Sequence, residues 1–216
     1  MKKILAGLMA VLVLFAVPIS AYAYSGYSEV RANELNQAGL FNGYGINKYG
    51  RVEYGLDDTV TRAQAVTMLV RIVGKTDEAA ENVKSYQTPF TDVPDWCEAA
   101  VGYAYENGLT SGISGTLFGA DRTISCTEFL TFALRALGYQ SNADFTWNST
   151  MDMAETVGIA KAGQYRDSTD FDRGDMVDIC HMTLVTDVKG TSRTLAQTLG
   201  LPLLAMLITT ASILIA

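Results

Sequence analysis

Thr61-Arg62-Ala63-Gln64-Ala65-Val66-Thr67-Met68-Leu69-Val70-Arg71 is the stretch whose grammar organises the rest of the chain. Thr61 followed by Gln64 is a capping box: the hydroxyl accepts from the third residue's N–H and the amide reaches back. Val66, Leu69, Val70 and Val73 then recur at helical spacing, and Gly74 supplies a stop. The same grammar returns at Ser125-Cys126-Thr127-Glu128, followed by the stripe Phe129, Phe132, Ala133, Ala136 and the stop Gly138. It returns again at Asp172-Arg173-Gly174-Asp175. There Asp172 caps, Asp175 is a shorter reciprocal partner, the helix continues through Leu184, and Gly190 is the expected stop.

A shorter helix precedes each of these. Ser28 to Ala38 exits at Gly39-Leu40, ahead of a loop with Tyr44, Tyr49 and Tyr54. Behind Phe90-Thr91-Asp92-Val93-Pro94-Asp95-Trp96, a second exits at Gly108-Leu109. Behind Phe145-Thr146-Trp147, a third spans Met151 to Val157 and exits at Gly158-Ile159. The layout predicts three helix-loop-helix repeats, over residues 24–76, 86–140 and 141–190. Short helices with one apolar face cannot bury it alone. Three meeting along a shared axis can, so the expected fold is all-α and pseudo-threefold.

The chain has 216 residues, 16 Lys+Arg, 23 Asp+Glu, one His and three Cys. Lys2 and Lys3, the apolar run Ile4 to Val17 and Ala21-Tyr22-Ala23 have the form of a signal peptide over residues 1–23. Its removal shifts the formal charge from −7 to −9, which repels nucleic-acid phosphate. Cys97, Cys126 and Cys180 form no CxxC and His181 has no second histidine, so no metal site and no cofactor are expected. The cysteines read as small buried side chains, or as one disulfide with a thiol left over. His181, inside an apolar helical pattern, reads as a satisfied core or surface residue rather than a catalytic one. Asp167 to Asp175 is acidic but lacks the spacing of a calcium loop, and a solvated loop is the plainer reading. No pair of carboxylates has a spacing that marks a glycosidase, so no catalytic residue is assigned.

The combination resembles S-layer homology modules. Their pattern is an aromatic before Asp-Val, a Trp, a helix ending in Gly-apolar, a Gly-rich loop with an aromatic, then Thr-Arg-Ala-Glu opening an apolar helix. Phe90-Thr91-Asp92-Val93, Trp96, Gly108-Leu109 and Gly115-Thr116-Leu117-Phe118 match the front half, and Thr61 to Arg71 the back half. Phe90, Asp92, Trp96, Gly108, Ser125, Glu128 and Trp147 are then structural motif positions. The resemblance implies a three-pronged helical unit with grooves between the prongs. It also implies non-covalent attachment to a cell-wall polysaccharide, often pyruvylated, on a bacterial surface.

Arg62 occupies the first helical position, where a cation opposes the helix dipole, so helix stability does not explain it. Beside helix N–H groups a guanidinium suits a carboxylate, and Arg173 sits similarly. Thr61, Arg62, Asp172, Arg173 and Tyr44 are therefore the candidate glycan-binding residues. The alternative is that the arginines are solvated or pair with Asp57, Asp58 or Asp170. Cys126 stands where the pattern has Arg. The third repeat has Gly174 in place of Ala, and its approach loop is compressed: 14 residues from Gly158 to Asp172, against 22 from Gly39 to Thr61. At most two of three grooves then look competent. Trp96 and Trp147 are expected in the prong cores; Tyr44, Tyr49 and Tyr54 are the better ligand-facing aromatics.

The tail, residues 194–216, carries no charge, and Leu199 to Ala216 is almost wholly apolar. As a helix its eighteen residues would reach about 27 Å, close to a bilayer's hydrocarbon thickness. Membrane insertion is the preferred reading, with packing on protein as the alternative. Two functions follow: an exported, non-catalytic attachment protein, or a membrane-tethered scaffold whose repeats no longer bind glycan.

Overall fold

The computed structural model describes residues 22–166, 168 and 170–201. The expected signal peptide lies outside these residues except for Tyr22 and Ala23, as does the tail beyond Leu201. The described chain is mostly helical: α1 (Tyr22–Gln37), α2 (Arg62–Ile72), α3 (Thr76–Glu81), α4 (Asp95–Glu106), α5 (Cys126–Ala136), α6 (Thr150–Val157), α7 (Arg173–Val185) and α8 (Leu195–Thr198). One small hairpin departs from the all-α expectation. β1 (Gly45–Ile46) pairs antiparallel with β2 (Val52–Glu53). Its loop is closed by the Asn47 side chain, which accepts the N–H groups of Tyr49 and Arg51 at 3.0 and 3.1 Å.

The capping boxes form as the sequence predicts. Thr61 and Gln64 cap α2 reciprocally, as Ser125 and Glu128 cap α5. In α7 the Asp175 N–H donates to Asp172 Oδ1 at 2.8 Å. The helix exits are equally regular. Gly39, Gly108 and Gly158 have φ of 72°, 67° and 89°. The N–H of the next residue, Leu40, Leu109 or Ile159, then reaches back to the carbonyl of Leu35, Ala104 or Ala154. Only glycine takes this left-handed turn without steric cost.

The packing is cyclic. α2, α5 and α7 touch one another, and their faces form the middle of one continuous core. α4 packs on α2, α6 on α5, and α1 on α7. The α1–α7 seam carries buried polar groups as well: Ser28 Oγ donates to Asp178 at 3.0 Å, Arg31 pairs with Asp178 at 3.0 Å, and His181 Nε2 lies 2.7 Å from Glu34. His181 is thus a partnered core histidine, and Ser28 is bonded to Asp178 rather than to it. Burial lowers the His181 pKa. The three cysteines are free and buried, which excludes the disulfide alternative.

Three expectations are corrected. α7 ends at Val185, and Gly190 lies in a later turn. The reason is that Thr186 becomes extended and accepts the Leu195 N–H, beside the bridge between Asp187 and Thr194. Trp96 and Trp147 are not in the core; they are 59% and 58% exposed. Finally, the first eight residues of the apolar tail pack on protein. Thr194 and Gln197 cap α8, Leu195 and Ala196 are buried, and Leu199 lies against Gly74. Gly200, at φ 70°, interrupts any helix running through Leu199. No described helix is long and apolar enough to cross a membrane.

One close approach tests the packing. A Cβ on Gly102, inside α4, would lie 2.5 Å from the Tyr86 ring. Gly102→Ala gains helix propensity but forces that ring out, so a net loss of roughly 1–3 kcal/mol is expected in urea unfolding. Removing the ring by Tyr86→Ala should make the same glycine substitution neutral or stabilising, a coupling read directly from the double-mutant cycle.

Candidate functional site

The first turns of α2 and α7 are built the same way. Arg62 and Ala63 donate their N–H groups to the carbonyls of Arg122 and Ala120, at 2.8 and 3.0 Å. Arg173 and Gly174 donate theirs to Asp58 and Leu56, at 2.9 and 2.8 Å. The third N–H of each helix goes to its cap, Thr61 or Asp172. The helix N–H groups expected to receive a carboxylate are therefore already bonded, and Thr61 and Asp172 act as caps. What remains for an anion is the guanidinium.

Each guanidinium reaches past its helix into the neighbouring loop. Arg62 is 4% exposed and lies 5.0 Å from the rings of both Phe118 and Phe132. Its Nη2 donates to the Ser111 carbonyl at 2.6 Å and its Nη1 to Glu128 at 3.0 Å. Arg173 is 7% exposed and lies between Phe41 and Tyr44, at 4.9 and 4.7 Å. It donates to the carbonyls of Tyr54 and Asn42, at 3.0 and 3.4 Å. Neither arginine pairs with Asp57, Asp58 or Asp170 among the described residues.

Three grooves open beside these helix starts. The Arg62 groove, of about 660 Å³, includes Arg122, Glu128, Arg135, Phe132 and Trp147. The Arg173 groove, of about 180 Å³, includes Gln64, Arg71, Met68 and Trp96. These walls correspond: Gln64, Met68 and Arg71 on α2 have the spacing of Glu128, Phe132 and Arg135 on α5. Each groove ends at an exposed tryptophan from a further segment. The third groove, of about 570 Å³, has Cys126 at the arginine position and Asp57, Asp170, Asp172 and Arg166 around it. Its charge balance is inverted.

Asp92 accepts the N–H groups of Phe118 and Gly119, both at 2.7 Å, tying the lead-in to the Gly-rich loop. Burial pushes its pKa up, but those bonds outweigh it and hold the carboxyl low. Tyr44 is exposed and covers Arg173 from the hairpin side, Tyr49 is exposed, and Tyr54 is buried with its hydroxyl on Asn33 at 2.8 Å. Tyr54 therefore faces no ligand. The sequence signal missed was the regular placement of the two tryptophans. They mark groove walls, and a polar sequence around each (Pro94-Asp95 and Asn148-Ser149) pointed to exposure.

Glu128 and Asp175 occupy the same third helical position with opposite outcomes. Burial raises the Glu128 pKa, but hydrogen bonds from Arg122 and the Ser125 N–H, with the charge of Arg62, outweigh it and leave the carboxyl below its ordinary value. Asp175 has no arginine ahead of it, because Cys126 stands there. Burial and the charges of Asp172 and Asp178 push it up to about 6.

Residues 89–125 match the S-layer homology domain family. A cell surface protein of Thermoanaerobacter kivui is 29% identical over 193 residues, covering 84% of this chain and 25% of that protein. The middle cell wall protein of Brevibacillus brevis is 31% identical over 137 residues, covering 62% of this chain and 12% of that protein. The surface layer protein of Brevibacillus choshinensis is 28% identical over 173 residues, covering 74% and 15%. The chain carries an S-layer homology domain. It spans a quarter or less of the length of these relatives.

The raised Asp175 has a pH signature. Between roughly pH 4 and 6 the folded chain holds a proton that the unfolded chain has released, so stability falls as pH rises through about 6. Asp175→Asn should raise the thermal midpoint at pH 7.5 and leave it unchanged below pH 4, as read by circular dichroism melts at both values.

Proposed function

We propose that residues 24–190 are three S-layer-homology-like repeats in a pseudo-threefold ring that attaches this chain to the cell envelope without catalysis. The ligand is an anionic, pyruvylated wall polysaccharide, held in the grooves at Arg173 and Arg62. The expected repeat boundaries are kept at 24–76, 86–140 and 141–190. Support for the ring comes from the cyclic packing of α1, α4 and α6 on α7, α2 and α5, and from the repeated helix exits. Support for an exported surface location comes from relatives named as cell surface, cell wall and surface layer proteins.

One observation carries the glycan reading. Arg173 is a guanidinium that is 7% exposed, engages two carbonyls and has no carboxylate partner among the described residues. An ion held so far from water without a counter-ion is costly unless one arrives. Arg71 adds a second cation to the same groove, and the exposed face of Trp96 suits a sugar ring. The packing of α8 on α7 favours attachment through the grooves over tethering by the first part of the tail.

Retention of the purified chain by wall sacculi is the test. Arg71→Gln with Trp96→Ala removes groove-wall side chains without touching the buried Arg173, and should reduce retention about tenfold. Sacculi treated with mild acid, which cleaves pyruvate ketals, should retain little of either protein. Undiminished retention in both comparisons would overturn the assignment.

A further inference from the structure

The two cationic grooves differ where the third residue of one helix faces the first residue of another. In the Arg62 groove that residue is Glu128. One of its oxygens accepts from both Arg62 and Arg122, and the other accepts from the Ser125 N–H and hydroxyl at 3.0 and 3.1 Å. The third cation there, Arg135, donates Nη1 to the Leu109 carbonyl and Nε and Nη2 to Ser141. In the Arg173 groove the equivalent residue is Gln64, whose side-chain oxygen accepts the Thr61 N–H at 3.0 Å. No carboxylate lines that groove, and Arg71 makes no ion pair or side-chain hydrogen bond among the described residues.

We propose that the two grooves read different features of one polymer: the Arg173 groove takes its acidic substituent, and the Arg62 groove, neutralised from within by Glu128, takes sugar rings with little regard to charge. This rests on the glycan reading above. A ligand carboxylate at Arg62 must share donors with a carboxylate already in place, and two such groups a few ångströms apart repel. At Arg173 the same carboxylate finds an unpaired cation. The dimensions agree. About 180 Å³ suits one acid-bearing group, whereas about 660 Å³ with Phe132 and Trp147 on its wall suits several rings. The pairing of first and third helical residues thus sets the character of each groove, and the Cys126 groove, with Asp175 at that third position, is the charge-inverted case.

The chain's two tryptophans permit a direct test, because one stands in each groove. Trp147→Phe leaves Trp96 to report on the Arg173 groove, and Trp96→Phe leaves Trp147 to report on the Arg62 groove. The probes are a methyl glycoside carrying a 4,6-O-pyruvate ketal and the methyl ester of that compound, titrated by fluorescence against the full chain. Esterification should weaken binding about tenfold or more at the Arg173 groove, and less than about threefold at the Arg62 groove. Glu128→Gln should make the Arg62 groove sensitive to esterification, and Gln64→Glu should remove that sensitivity at the Arg173 groove. Both substitutions keep a side chain that completes the capping box, and unchanged melting temperatures verify this. Equal ester sensitivity in the two grooves, or no effect of Glu128→Gln, overturns this inference and leaves the glycan reading standing. No response of either tryptophan to either probe overturns both.

Discussion

The described structure depends on where two helices send their first N–H groups. A helix start leaves donors without intrahelical partners, and water or a side chain usually supplies the acceptor. Here α2 and α7 give two of theirs to carbonyls of a loop that belongs to a different repeat. The helix start and the foreign loop therefore cannot separate without exposing or orphaning both sets of groups. This explains why Thr59 bridges to Asp172 and Thr61 to Thr123. It also explains why the short first helices pack across repeats rather than within them. The apolar faces supply most of the driving force, but these bonds fix the order of the pieces.

The arginines follow from the same docking. A cation at the first helical position works against the helix dipole by a few tenths of a kcal/mol up to about 1. The side chain leaves that unfavourable field by extending into the loop, where carbonyl oxygens and aromatic faces receive it. Arg62 and Arg173 each contact at least one loop carbonyl and lie between two rings. Guanidinium suits this place better than ammonium, since its planar fork can donate to several acceptors while its face stacks. Structural docking and ligand capture are then not alternatives. The loop holds the cation in position, and the edge left over faces a groove.

Much of this was legible in the sequence, and the parts that were not share a cause. The capping boxes, the helix exits at Gly39, Gly108 and Gly158 and the three second helices depend on local spacing, so the sequence displays them. The hairpin at residues 45–53 was read as a plain Gly-rich loop because two-residue strands are too short for an alternation signal. Trp96 and Trp147 were read as core because large aromatics usually are, yet each sits at the edge of a groove formed by distant segments. The partner of Arg62 was missed for a similar reason. Glu128 is 66 residues away and already had a local role in its own capping box. A residue with a sufficient local explanation gives no hint of a second, tertiary one. Gly190 failed in the opposite sense: a local helix-stop signal was overridden by the extended pairing of Asp187 with Thr194.

The charge distribution makes the grooves more discriminating than their arginines alone would suggest. The chain is acidic overall, with a formal charge of −7 over its full sequence, so its distant field repels an acidic polymer. At about 0.1 M salt that field fades within roughly 10 Å, while partly buried cations remain weakly screened. Attraction is then confined to contact range, where an acid-bearing ring must enter a groove and meet both a guanidinium and an aromatic wall. An inverted groove at Cys126 fits this logic: with Asp57, Asp170 and Asp172 around it, it extends the repulsive surface rather than adding a third point of capture. Loss of one arginine thus left its facing carboxylate, Asp175, without a counter-ion, and the raised pKa of that residue is the physical trace of the unmatched pair.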